Sequence, residues 1–284
     1  MARTEIAYFS GTGNSLAIAR YVAGKLEGDL IPAIQAADRS RQEREVDTIG
    51  LVFPIYDFRA PRCIFDYLET VSDIESKYVF AICTHGTAAP GLSLKSVQQA
   101  IESRGGRLSG GFAVPMPHNG VGCGLFSDSK RESLLGAWKK TAEEVCEYVL
   151  RCDRGRVDSS SAALAMLRPS MLRLVPVILR FFGALVTRGS KGLGLTASDA
   201  CTACGICTRV CPTENIELRE DRPIWGDRCL TCFACLHWCH ESAISLGGLD
   251  VGITPYHHPD VTLGDMLAQR DDPAVPPRAQ ENAA

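Results

Sequence analysis

The chain has 284 residues, 45% of them hydrophobic and 22% charged, an ordinary balance for a soluble globular protein and enough for one large or two modest domains. A formal net charge of -3 gives no broad basic field, so nucleic acid is not an expected partner. Thirteen cysteines would be hazardous in an oxidising compartment. With no apolar leader between Met1 and Glu5, they point to a cytoplasmic protein and read first as metal ligands or reactive thiols.

Glu5 to Phe9 predicts a short apolar strand, followed by the polar loop Ser10, Gly11, Thr12, Gly13, Asn14 and by helical apolar spacing from Ser15 to Leu26. Leu30 to Ile34 is a weaker strand. Asp47 to Phe53 predicts a buried strand closed by Pro54, then Ala60 to Val71 a helix and Lys77 to Cys83 another strong strand. The loop from Thr84 through His85 and Gly86 to Gly91 leads into a helix ending near Ser103. Leu108 to Val114 predicts a strand, and Asp128 to Arg151 a long helix with its charges on one face. Strands alternating with helices imply parallel βαβ units, so residues 1–152 are expected to form an α/β domain with a doubly wound parallel sheet.

From Ser159 to Ser198 acidic residues give way to Arg168, Arg173, Arg180, Arg188 and Lys191 set among large apolar residues. Two arginines and Pro176 interrupt a run barely long enough to cross a bilayer. Residues 153–198 are therefore expected to be a helical interdomain linker rather than a membrane span. The sharper alternative is a basic surface for peripheral membrane contact or an acidic partner.

Eight of the cysteines fall between Cys201 and Cys239, in an internal repeat. Cys201, Cys204, Cys207, Cys211, Ile216 and Leu218 recur at constant offset as Cys229, Cys232, Cys235, Cys239, Ile244 and Leu246, the mark of a duplicated unit. Three cysteines two residues apart let one tight loop reach three corners of a cubane. Zinc more often joins two distant pairs, and disulfides conflict with a reducing compartment. Residues 249–284 lack apolar periodicity and are expected to be a mostly disordered tail.

Residues 199–248 resemble bacterial dicluster ferredoxins, an α+β fold. The resemblance implies two [4Fe–4S] clusters, with the fourth cysteine of each run serving the other cluster. One cluster would take Cys201, Cys204, Cys207 and Cys239, the other Cys229, Cys232, Cys235 and Cys211. Pro212 follows the first run as in that family. His240 replaces the second proline and is expected on the surface or beside the ligands, not among them.

The loop from Ser10 to Ser15 follows the first strand and opens a helix, where backbone N–H groups favour a phosphate. It contains no lysine, which disfavours a nucleoside triphosphate. With the domain order, it makes most of residues 4–248 similar to a bacterial family that fuses flavodoxin and ferredoxin modules. That resemblance implies FMN at the switch point between the first and third strands. Ser10, Gly11, Thr12, Gly13, Asn14 and Ser15 would hold its phosphate, while Pro54, Tyr56, Thr84, His85 and Gly86 would lie near the ring. Pro115 to Asn119 follows another strand and would close the site. Cys83 and Cys123 are expected to be core or loop thiols. The expected function is electron transfer between FMN, the clusters and a partner oxidoreductase. The alternatives are reduction of a small substrate at the flavin, or redox sensing. Oligomeric state is not legible.

Overall fold

The protein is described by a computed structural model that defines residues 3–35, 46–56, 59–86, 90–120, 127–158, 194–247 and 253–270. Most of the basic apolar segment, Cys123 and residues 271–284 lie outside the described residues.

The predicted strands form β1 (Thr4–Tyr8), β2 (Asp29–Pro32), β3 (Thr48–Pro54), β4 (Tyr78–His85) and β5 (Leu108–Pro115). Central strands β3 and β4 are buried almost end to end, with no alternation of polar residues. Such runs mark strands covered on both faces. The covers are α1 (Asn14–Lys25) with α4 (Asp128–Leu150), and α2 (Arg62–Glu69) with α3 (Pro90–Glu102), each pair in mutual contact. Phe9, Phe53, Phe80 and Phe112 fill the core together with Leu16, Ile18, Leu51 and Ile64.

The sheet order is β2-β1-β3-β4-β5-β6, and every pairing is parallel. The sixth strand, β6 (Arg156–Val157), pairs with Gly110 and Gly111. It falls in the stretch expected to be linker; two residues are too few to show a periodicity. The order turns back between β1 and β3, so a crevice opens at their carboxyl ends, where the loops after Phe9 and Pro54 diverge. Ligands of open α/β sheets bind at such switch points.

The cysteine repeat folds as a second unit. It comprises β7 (Leu195–Ala197), α5 (Ile206–Val210), the antiparallel hairpin β8 (Ile216–Arg219) and β9 (Arg222–Trp225), α6 (Ala234–His237), and β10 (Ile244–Leu246), which pairs antiparallel with β7. The duplication extends to the backbone. Ala203 and Gly205 hold positive φ in the first run, and Thr231 and Phe233 hold it at the matching positions of the second. A left-handed conformation at bulky Phe233 shows that the loop shape is imposed from outside the residue. Leu195, Ile216, Trp225, Leu236 and Ile244 form a small core of their own. Val210, Ala234 and Trp238 instead join the large core of the first unit.

The tail differs most from expectation. Residues 253–270 are ordered across both units and end in α7 (Leu263–Ala268). Thr262 and Asp265 cap that helix reciprocally, while Val261 and Met266 are buried in the large core. Anchoring comes from single side chains and hydrogen bonds rather than from a repeating apolar face, so periodicity does not reveal it. Among the described residues, no helix is long and apolar enough to cross a membrane.

Candidate redox centre

The loop at the start of α1 is built around Gly13, which has φ +92 and precedes the helix without a side-chain cap. The first N–H groups of α1 therefore point into the loop without a capping oxygen, an arrangement suited to an anion. The Ser10 hydroxyl accepts from the Gly13 N–H at 3.0 Å, and the Thr12 hydroxyl from Asn119 Nδ2 at 2.7 Å. As acceptors, both hydroxyls keep a hydrogen to donate. Ser15 Oγ and Thr84 Oγ1 share a 2.9 Å hydrogen bond, which ties the loop to the end of β4. The Asn14 side chain is committed at both ends: it donates to Pro117 O at 3.1 Å and accepts from the Tyr256 hydroxyl at 2.7 Å. It shapes the loop, leaving Ser10, Thr12 and the backbone as donors.

Pro54 and Thr84 sit opposite each other at the ends of β3 and β4. Tyr56 packs edge-on to Phe9 at 6.2 Å, and its buried hydroxyl has no hydrogen-bond partner. His85 is the same at Nδ1, and burial lowers its pKa, favouring neutral imidazole. Gly86 lies under His118, which sits 2.6 Å from where a glycine Cβ would project, so the loop after β5 packs against the end of β4. An uncapped helix start with two orphaned polar atoms beside it fits a phosphate joined to a polar-edged ring, because buried polar atoms without partners are rare. Cys83 is fully buried in β4 and its thiol is pushed up by burial, which makes it an inert core residue.

The eight cysteines of the repeat surround two cavities. Cys201, Cys204, Cys207 and Cys239 line one, with Leu218, Pro223 and Ile244. Cys211, Cys229, Cys232 and Cys235 line the other, with Trp225 and Phe233. The fourth cysteine of each run thus lies with the first three of the other run. Among the described residues, no three His, Cys, Asp or Glu groups converge closely enough for a single metal ion. Four cysteines around each cavity suit a polynuclear centre. Burial pushes the Cys207 thiol up to about 11 and the Cys232 thiol up to about 12. Thiolates so placed need a positive partner, which an iron centre would supply. Backbone N–H groups of Asn215, Thr231 and Ala243 already donate to the sulfurs of Cys211, Cys229 and Cys239, each at 3.4 Å. His240 is exposed beside Glu241 and is not among the residues that line either cavity.

The two units meet at the switch point. A Cβ on Gly11 would lie 2.6 Å from the Tyr56 hydroxyl, 2.8 Å from the Cys232 carbonyl and 3.3 Å from Cys232 Cβ, so only glycine admits this approach. Trp238 donates its indole N–H to Gly11 O at 3.0 Å and stacks on His257 at 4.5 Å. His237 accepts the Tyr256 N–H at Nδ1, so its Nε2 carries the proton and donates to Asn119 O at 2.7 Å. Burial lowers its pKa to about 4, which keeps it neutral and its two hydrogen bonds in register. The C-terminal strap completes the closure. His258 N–H donates to Thr12 O at 2.8 Å, and the Gln269 amide brackets Ser10, accepting its N–H at 2.8 Å and donating to its carbonyl at 3.0 Å.

Residues 200–244 match the 4Fe-4S dicluster domain family. The chain fuses a flavodoxin-like domain to a 4Fe-4S dicluster domain. No curated protein matches this fusion in a sequence search. Among solved structures, one from Bacteroides uniformis described as a flavoprotein is similar at 24% identity, over 51% of the fusion and 98% of that chain, with a TM-score of 0.37. A flavodoxin from the domain Archaea is similar at 14% identity, over 52% and 99%, with a TM-score of 0.37. The rubredoxin oxygen:oxidoreductase of Desulfovibrio gigas is similar at 13% identity, over 53% and 36%, with a TM-score of 0.34. The strand order, not these likenesses, decides the fold.

The sequence singled out the cysteines and the loop from Ser10 to Ser15 but gave no role to Trp238, His237 or the strap residues Tyr256, His258 and Gln269. One signal was present: Thr262 and Asp265 in a capping box, ahead of apolar Leu263, Met266 and Leu267 at helical spacing.

Proposed function

We propose that the fusion is a cytoplasmic electron-transfer protein that binds FMN at the switch point and two [4Fe–4S] clusters in its cysteine cavities, and serves a separate oxidoreductase. The observation that carries this reading is the packing of Cys232 against Gly11 and Tyr56. It puts a ligand of the second cavity against the loops that would hold the flavin. Bound flavin takes up electrons singly or in pairs, while each cluster passes one at a time. The chain's own part is to fix distance, polarity and access. Ser10, Thr12 and the start of α1 would hold the phosphate, and Tyr56, Thr84, His85 and Gly86 would border the ring. Trp238, His237 and the strap keep the two units docked, so transfer need not await a chance encounter.

The cysteines of the two cavities differ in exposure, which supports a direction outward. Cys232 and Cys235 are buried, whereas Cys204 is exposed and Cys201 and Cys239 are half-buried. The first cavity is therefore the side that would face a partner. Anaerobically purified protein should contain iron, labile sulfide and FMN. After pulse reduction of the clusters, the flavin should be reduced at a rate independent of protein concentration. A rate proportional to concentration would mean that the modules meet only between molecules, and the single-chain relay would be abandoned.

A further inference from the structure

The loop from Ser10 to Ser15 is covered. All six of its residues are buried, and none of Ser10, Thr12, Asn14 and Ser15 is more than 5% exposed. Three neighbours do the covering. Asn119, in the loop after β5, donates to the Thr12 hydroxyl. Cys232 and Trp238 of the cysteine repeat press on Gly11. The strap reaches four positions: Gln269 brackets Ser10, His258 N–H donates to Thr12 O, and the Tyr256 hydroxyl donates to Asn14 Oδ1. At the fourth, Val261 Cβ stands 2.8 Å from where a Cβ on Gly13 would project.

These covers differ in what it takes to move them. The cysteine repeat has a core and two small sheets of its own, and the loop after β5 continues an inner strand of the large sheet. The strap has no core of its own and enters no sheet. It is held by Val261 and Met266 in the large core, by separate hydrogen bonds, and by the ion pair of Arg20 with Asp265 at 2.5 Å. Segments held in this way open locally at lower free energy than the elements beneath them. Its far end is hooked to the cysteine repeat. The Arg270 guanidinium donates to Thr208 O at 2.8 Å, to Arg209 O at 3.0 Å and to the Glu214 carboxylate at 2.8 Å, all outside the covered loop.

We infer that the strap is a gate over the flavin phosphate: while residues 253–270 are docked, bound FMN is held captive, and it exchanges with free FMN only when the strap lifts. Opening of a cover sets the release rate of many enclosed ligands. The flavin is on this account a resident group of the chain and not a substrate that comes and goes. The inference rests on the proposed FMN site, and is independent of the direction of electron flow.

The test is exchange of bound FMN against an excess of isotopically labelled FMN, read by mass spectrometry of the flavin that stays with the protein after desalting. The samples are anaerobic full-length holoprotein as wild type, Gln269→Ala and Arg270→Gln. Release through an open strap makes exchange proportional to the open population. It should therefore quicken roughly 30-fold in Gln269→Ala and roughly tenfold in Arg270→Gln, where the lost bonds are nearer to water. In the same variants the His258 amide should exchange hydrogen faster by a similar factor, and the Phe9 amide at its former rate. FMN exchange at the wild-type rate in both variants would overturn the gate. Acceleration in Gln269→Ala alone would overturn it too, because the effect would then trace to the lost hold on Ser10. Arg270→Gln acts from outside the loop and so decides the matter if Gln269→Ala fails to assemble. A wild type that takes up no FMN would overturn the flavin reading itself, an outcome told apart from failure of the gate by the absence of any bound flavin.

Discussion

Replacing Gln269 with Ala should open the C-terminal strap while leaving the sheet intact. Gln269 is 2% exposed, and its amide holds both the N–H and the carbonyl of Ser10, at 2.8 and 3.0 Å. Truncation leaves a buried donor and acceptor without partners, and one orphaned group costs about 1–3 kcal/mol. Taking about 2 kcal/mol as the net loss, with tenfold per 1.4 kcal/mol, the open strap becomes roughly 30-fold more populated. Local opening of this kind is read by native-state hydrogen exchange. The reporter is the His258 amide, which donates to Thr12 O at 2.8 Å; the control is the Phe9 amide, which donates to Val52 O at 3.0 Å within the sheet. His258 should exchange roughly 30-fold faster, and Phe9 at its former rate. Equal acceleration of both amides would show that the strap is part of the global fold rather than a separable cover. No acceleration of either would show that the bracket around Ser10 contributes nothing to closure.

Gly13→Ala should destabilise the protein by about 2 kcal/mol or more, because a left-handed conformation costs a residue with Cβ roughly 1–2 kcal/mol and the new methyl would meet Val261 at 2.8 Å. A denaturant midpoint equal to wild type would refute this. Strap docking should also depend on acid pH. The Arg20 guanidinium holds the Asp265 carboxyl down to about 2, against about 4 for a free side chain, with further help from Thr262. Because the folded value is depressed, this stabilisation is complete above about pH 4 and is lost as pH falls toward about 2. The Arg20→Gln variant should flatten that part of the His258 exchange profile; an unchanged profile would exclude the pair as its source.

Local chemistry made much of the protein legible. The βαβ alternation follows from apolar runs separated by turn residues. The spacing of Cys201, Cys204 and Cys207, repeated at Cys229, Cys232 and Cys235, carries a loop shape within a few neighbouring residues, down to matching positive φ values. The loop from Ser10 to Ser15 is equally local, since it needs only glycine, hydroxyls and a helix start. What tertiary structure alone decided involves partners far apart in the chain. Gly11 meets Cys232 and Trp238, Asn14 meets Tyr256, and Ser10 meets Gln269. None of these pairs has a period or spacing, because each is a single contact made once at the meeting of two surfaces. The strap shows the same division: its capping box is written in sequence, but its order comes from Val261 and Met266 entering a core built more than a hundred residues earlier. Burial of those side chains and pairing of otherwise orphaned backbone groups stabilise the strap, and both exist only once the sheet and the cysteine repeat have come together.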